Sequence, residues 1–316
     1  MVEQLDLFTR MPVPVLETAQ APDEQPVDVV SASAQVLPEQ TDLFGDRWLR
    51  ASAAHDALRS FDLEGAAEAL GKAVMLYPTD TKLLQRAELV SRLADRLRQE
   101  SRNGKSLAEA LAAIEALVPA FLAAQWHRRL AESMEAERGT GATFDGVPAG
   151  LHWLRAGDAI RAEQSLRSTV ANAPTDCRMR GYLADALAAQ QRLSQARVVY
   201  RDALSTTPWD VDFTNLVDIA VRDLPRLAKY EYELPSAPVE WSASVGLIEG
   251  VFLPPVVDNR DWLDPMVLER LVPGLRFFRW LVAERAARDN EQRIACRREM
   301  KALSPSLLKR LLQPER

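Results

Sequence analysis

Cysteine, histidine, glycine and aromatic residues are all scarce in this chain, and each shortage removes a class of explanation. The two cysteines, Cys177 and Cys296, cannot build a disulfide framework, and their separation gives no metal-ligand spacing. The three histidines, His55, His127 and His152, stand isolated on separate helical stretches without HExxH or paired-His spacing, so no metal is expected. Aromatics make up only 7% of residues, and the dominance of alanine, leucine and arginine favours helices over sheets. No apolar run approaches the ~18 residues that cross a bilayer. The first thirty residues are acidic and lack an apolar h-region, so neither a membrane span nor a secretory leader is expected, and the cytosol is the expected compartment.

Catalytic patterns are missing as well. No nucleophile elbow and no dinucleotide-binding glycine pattern occurs. The tetrad Asn103–Ser106, "NGKS", is like the end of a phosphate-binding loop. The glycine such a loop needs five residues earlier is Gln99, and a helical pattern stands where a strand is required. It reads as an inter-helix turn, and the chain reads as a non-enzyme without a cofactor. The seven tryptophans are scattered in a way that packing explains better than ligand stacking.

What is abundant is charge, unevenly placed. The formal net charge is −6, yet residues 1–45 carry −7 and residues 267–316 carry +6. An acidic start, a near-neutral body and a basic end argue against a dedicated nucleic-acid-binding domain, which presents a strongly basic face. Arg276, Arg279, Arg285, Arg288, Arg293, Arg297, Arg298 and Lys301 fall on one expected long helix, about 275–302. They form either a surface for an anionic partner or a solvated face laced with Glu284, Asp289, Glu291 and Glu299.

Residues 1–45 hold five prolines among Gln, Glu, Ser and Asp, a composition that predicts disorder. From residue 46 the pattern is helical, and a 34-residue period emerges. Ala162 pairs with Ala196, Leu166 with Tyr200, Pro174 with Pro208 and Asp176 with Asp210. Small residues at 162 and 196 let antiparallel helices approach, and the prolines end them. A further unit fits at 47–80 with Ala66, Leu70, Ala73 and Pro78, its "YPTD" matching "APTD" at 173–176. Between these units three helices are expected at about 80–100, 106–117 and 119–137. Residues 211–223 look like the first helix of another unit, and the proline-rich 224–263 reads as a loop-rich packing segment. Basic helices follow over 264–316, starting again at Ser304 with Pro305 at its first position.

On these residues, with Gly150, Trp153 and Gly157 in one unit and Leu183, Ala184, Ala203 and Pro208 in the next, the chain resembles the tetratricopeptide repeat family. Gln191 stands where the family's turn glycine is common. The resemblance implies an all-α, right-handed array of helix pairs over 46–223 whose first helices line a protein-binding groove. Carried over by position, that groove would hold Trp48, His55 and Arg59, then Leu151, Leu154 and Arg155, then Arg178 and Asp185. The arrangement by which chaperone-binding members hold a C-terminal carboxylate is not reproduced: the matching places are Ala51, His55, Pro148, Arg178 and Tyr182.

The acidic tail carries a second resemblance. Gln4, Leu5, Asp6, Leu7 and Phe8, "QLDLF", resemble the peptide by which many bacterial replication and repair proteins bind the sliding clamp of the replicative polymerase. Gln40–Phe44, "QTDLF", is a looser copy with Thr41 in place of leucine. The resemblance implies that Gln4, Leu7 and Phe8, with Gln40, Leu43 and Phe44 as weaker counterparts, anchor in the clamp's pocket. Alternatively, Leu43 and Phe44 staple the start of the first helix. The expected function is therefore a non-enzymatic protein-interaction scaffold, recruited to DNA replication or repair through the clamp. The alternative is a general adaptor or assembly factor of a secretion or envelope system whose tail docks in cis.

Overall fold

The computed structural model describes residues 52–234, 237–256 and 260–313, and it is mostly helical. The tail motifs at 4–8 and 40–44, and Trp48, lie outside the described residues.

Helical residues 52–59 (α1) turn at Phe61 into α2 (Leu63–Leu76). The next helices are α3 (Thr81–Arg102), α4 (Leu107–Ile114) with a 3-10 turn at Glu115–Leu117, and α5 (Ala120–Arg138). These match the three helices expected between the repeat units. Two further hairpins follow: α6 (Ala149–Arg155) with α7 (Ala159–Asn172), and α8 (Cys177–Ala189) with α9 (Leu193–Leu204).

The three hairpins share their turn geometry, and the second and third turns stand 34 residues apart. Each hairpin turns on a residue of positive φ: Phe61 at 60°, Gly157 at 82° and Gln191 at 62°. A left-handed turn suits glycine, so Phe61 and Gln191 hold theirs against intrinsic preference; Phe61 does so while its ring packs 5.4 Å from that of Trp126. The aspartates that close "PTD" are N-caps. Asp80 accepts from the Lys82 and Leu83 amides, and Asp176 from those of Arg178 and Met179. Ser106 and Glu109 form a reciprocal capping box, which makes "NGKS" a helix start. Ala162, Leu166, Ala196 and Tyr200 are fully buried, and a Cβ on Gly150 would lie 2.4 Å from Leu166.

One element is new and two expectations are corrected. After α5 stands a two-stranded antiparallel hairpin, β1 (Thr143–Phe144) with β2 (Val147–Pro148), closed by Asp145 and Gly146 at positive φ. "DG" between apolar residues is a type I′ turn signal. Residues 211–223 are not one helix but a 3-10 turn (Phe213–Asn215) and α10 (Ile219–Arg222). Asp212 bonds the Thr214 amide and the Asn215 side chain, and Asp218 bonds the Ala220 amide; such local bonds compete with a continuous helix. The expected helix 275–302 is broken into α14 (Pro273–Ala286) and α15 (Asn290–Leu303), because Asp289 caps the second from the Gln292 amide.

The segment 224–263 is more helical than expected, with α11 (Leu224–Tyr230), a 3-10 turn at Pro238–Trp241 and α12 (Ser242–Ile248). It packs as expected: Trp241 is fully buried, its ring 5.9 Å from that of Phe277. Short helices α13 (Pro265–Arg270) and α16 (Pro305–Leu311) complete the order. The main apolar core runs from Leu63 to Leu308 through the α6–α7 and α8–α9 hairpins and the C-terminal helices, and a smaller cluster of Ala54, Ala66, Leu70 and Val90 packs the first hairpin.

Four of the eight cations named on 275–302 are engaged by the fold's own groups. Arg279 stacks 4.9 Å over Trp262 and donates to its carbonyl at 2.9 Å. Arg285 donates to the Leu247 carbonyl at 3.0 Å, Arg293 to that of Ala287 at 3.4 Å, and Arg297 pairs with Glu284 at 2.5 Å. The solvated-and-packed reading of this basic stretch fits these contacts better than a phosphate-binding face.

Candidate functional site

Helices α6 and α8 lie side by side, and the irregular chain 211–217 folds over the end of α8. Between them is a cavity of about 350 Å³. Leu151, Leu154 and Arg155 line it from α6; Arg178, Gly181, Tyr182 and Asp185 from α8; and Val211, Asp212, Asn215, Leu216 and Val217 from the chain above. All five groove positions carried over for the two best-matched units thus converge on one cavity. His55 and Arg59 are exposed on α1 and do not line it.

The walls divide by chemistry. Leu151, Leu154 and Leu216 give an apolar floor, and Arg155 and Arg178 stand exposed at the rim. Arg155 donates to Glu115 at 3.0 Å, and Arg178 lies 3.9 Å from Asp176. Burial raises the Tyr182 hydroxyl above its usual range, so it is a neutral donor at the wall. Asn215 holds the Asp212 carboxyl below its usual range.

Asp185 differs from its expected role as a ligand contact. It is buried, and its Oδ1 accepts from the Tyr200 hydroxyl at 2.5 Å and from the Val217 amide at 2.8 Å. It therefore ties α9 and the 211–217 chain to the groove floor. Burial raises its carboxyl to about 6, against those two hydrogen bonds, which favour the ionised form. Burial also raises Tyr200, whose hydroxyl remains a donor.

A second cluster joins residues that sequence spacing kept apart. His127 on α5 and His152 on α6 meet with their Nδ1 atoms 3.2 Å apart and their rings stacked 5.4 Å between centroids. Glu115, on the 3-10 turn after α4, brings Oε1 to 3.8 Å from His127 Nδ1. The three side chains place one ligand atom each within 4.8 Å of one another. Burial holds both histidines below the usual imidazole range, His152 down to about 3, with the Arg155 charge acting in the same direction. Both are therefore neutral at physiological pH, and one Nδ1 donates to the other.

Neither histidine carries a local signature, and 25 residues separate them; only the packing of α5 on α6 reveals the pair. His152 and Glu115 also line a cavity of about 550 Å³ between α4, α5 and the β1–β2 hairpin. No family model matches the chain, and no curated protein or solved structure matches it.

Proposed function

We propose that this chain is a non-enzymatic, tetratricopeptide-like scaffold that holds an extended peptide in the α6–α8 groove and is recruited to the bacterial sliding clamp by its N-terminal motifs. The observation that carries the scaffold reading is the convergence of Leu151, Leu154, Arg155, Arg178 and Asp185 on one cavity. Three hairpins with turns of the same hand at 61, 157 and 191 support the repeat assignment. An apolar floor with two arginines at the rim suits a peptide that presents leucine-like side chains and one carboxylate. The clamp reading rests on "QLDLF" and its looser copy, two motifs on one tail, which gain avidity against a ring of equivalent pockets.

The test uses the full-length protein in two arms. Against purified sliding clamp it should bind with roughly micromolar affinity, about −8 kcal/mol, and Leu7→Ala with Phe8→Ala should abolish binding; unchanged binding in that variant removes the motif. Peptide display against the same protein should enrich acidic, leucine-containing sequences that Arg178→Glu no longer selects. The same consensus from both proteins would refute the groove. A cis-docked tail is the second reading, favoured by the −7 charge of residues 1–45, opposite in sign to Arg155 and Arg178. In that case limited proteolysis spares the tail, and Arg178→Glu exposes it to cleavage.

A further inference from the structure

The geometry points to a single Zn²⁺ site formed by Glu115, His127 and His152, with a fourth coordination position open to water. Three elements converge to build it: the turn after α4 supplies the carboxylate, and α5 and α6 supply one imidazole each.

The distances decide the argument. Two nitrogens bound to a tetrahedral zinc at ~2.0–2.1 Å are separated by about 3.3–3.4 Å. The two Nδ1 atoms already stand 3.2 Å apart. Glu115 Oε1, 3.8 Å from His127 Nδ1 and in a set whose ligand atoms all lie within 4.8 Å of one another, has to move in by about half an ångström toward one imidazole and by up to about 1.5 Å toward the other to reach the same sphere. Its side chain is about a third exposed on a short turn, so that adjustment needs no change in the helices. His152 and Glu115 both border the 550 Å³ cavity, which gives the ion a route in and room for a bound water.

Donor chemistry selects the metal. Two imidazoles and one carboxylate suit zinc or its late first-row neighbours, whereas calcium and magnesium take oxygen sets. Two histidines with one glutamate is the donor set of zinc sites that keep an open position. The ion displaces two existing interactions: the Nδ1–Nδ1 hydrogen bond, which ends as both rings carry their proton on Nε2, and the 3.0 Å contact of Arg155 with Glu115. Neither buries a charge that the ion would leave unpaired. Cys177 and Cys296 are buried elsewhere and are not part of the set.

The experiment takes the full chain, stripped with chelator, and measures Zn²⁺ by calorimetry and by equilibrium dialysis with elemental analysis. One ion per chain is expected, with a higher melting temperature, and Co²⁺ in its place should show the intense visible band of a tetrahedral site. Azide should shift that band if the fourth position is open. His127→Gln should weaken Zn²⁺ at least about 100-fold, since loss of outer-shell partners alone costs about 10–100-fold. Glu115→Gln, at a partly exposed position, should weaken it measurably with an unchanged circular dichroism spectrum, and it decides the matter if His127→Gln does not fold. Absence of binding, or equal binding in wild type and Glu115→Gln, would overturn the site and leave a hydrogen-bonded histidine pair only.

Discussion

Asp185 shows how much a single buried carboxyl can control. Two donors, the Tyr200 hydroxyl and the Val217 amide, converge on one of its oxygens. Burial nevertheless dominates and lifts it above the ordinary carboxylate range, to about 6. Since the folded pKa lies above the unfolded one, the folded chain holds a proton between these values that the unfolded chain has lost. Its contribution is full below about pH 4 and disappears as the pH rises through about 6, an amount on the order of 3 kcal/mol. Urea unfolding at pH 4, 5, 6 and 8 should reveal that slope. Asp185→Asn keeps an acceptor but cannot ionise, so its stability should be flat over the window and should equal or exceed wild type at pH 8. Asp185→Ala strands both donors and should cost about 2–3 kcal/mol at pH 5. A wild-type slope that persists in Asp185→Asn would assign the titration to another group.

Among the elements, hairpin spacing and helix separation follow different glycine rules, and two glycines separate them. Gly150 faces Leu166 across the α6–α7 contact, where an added Cβ would sit 2.4 Å from the Leu166 side chain and 3.1 Å from the Ala162 carbonyl. Gly71 lies within α2 with nothing within 4 Å of such an atom. Thermal and urea unfolding should therefore show Gly150→Ala losing about 1–3 kcal/mol through overpacking and Gly71→Ala gaining up to about 1 kcal/mol through helix propensity. A neutral Gly150→Ala would mean that α6 and α7 can separate freely. The α6–α7 and α8–α9 hairpins were legible in sequence because their signals are local: proline ends, aspartate caps, and alanines at 162 and 196. The break at 287–289 was legible in principle, since Asp289 before Asn290 is a capping signal, but continuous arginine periodicity obscured it. The 211–223 chain was not, because Asp212 and Asp218 bond their own backbone while Asp185 captures the Val217 amide from 32 residues away. The histidine pair belongs wholly to tertiary structure and left no trace in spacing.

For the molecule as a whole, Arg155 links the two candidate sites. Its guanidinium lies at the rim of the α6–α8 cavity and donates to Glu115, the carboxylate of the proposed zinc set. It also acts on both histidines as a nearby positive charge. Zinc on Glu115 would take over the neutralisation that Arg155 now provides and release the arginine toward a carboxylate in the groove. The two ligands should then favour one another, and by linkage the effect is reciprocal. An acidic peptide from the display selection should bind at least about 5-fold more tightly with Zn²⁺ present than after chelation, the lower end of typical allosteric coupling. Arg155→Gln should separate the sites in opposite directions. Its zinc affinity should rise by up to about tenfold, or ~1.4 kcal/mol, because a competing cation is gone, while peptide affinity falls and becomes indifferent to Zn²⁺. Calorimetric titration of each ligand in the presence and absence of the other measures all four terms. If Arg155→Gln retains the full wild-type coupling, the link does not run through this residue, and the groove and the histidine cluster act as independent sites on the same helix pair.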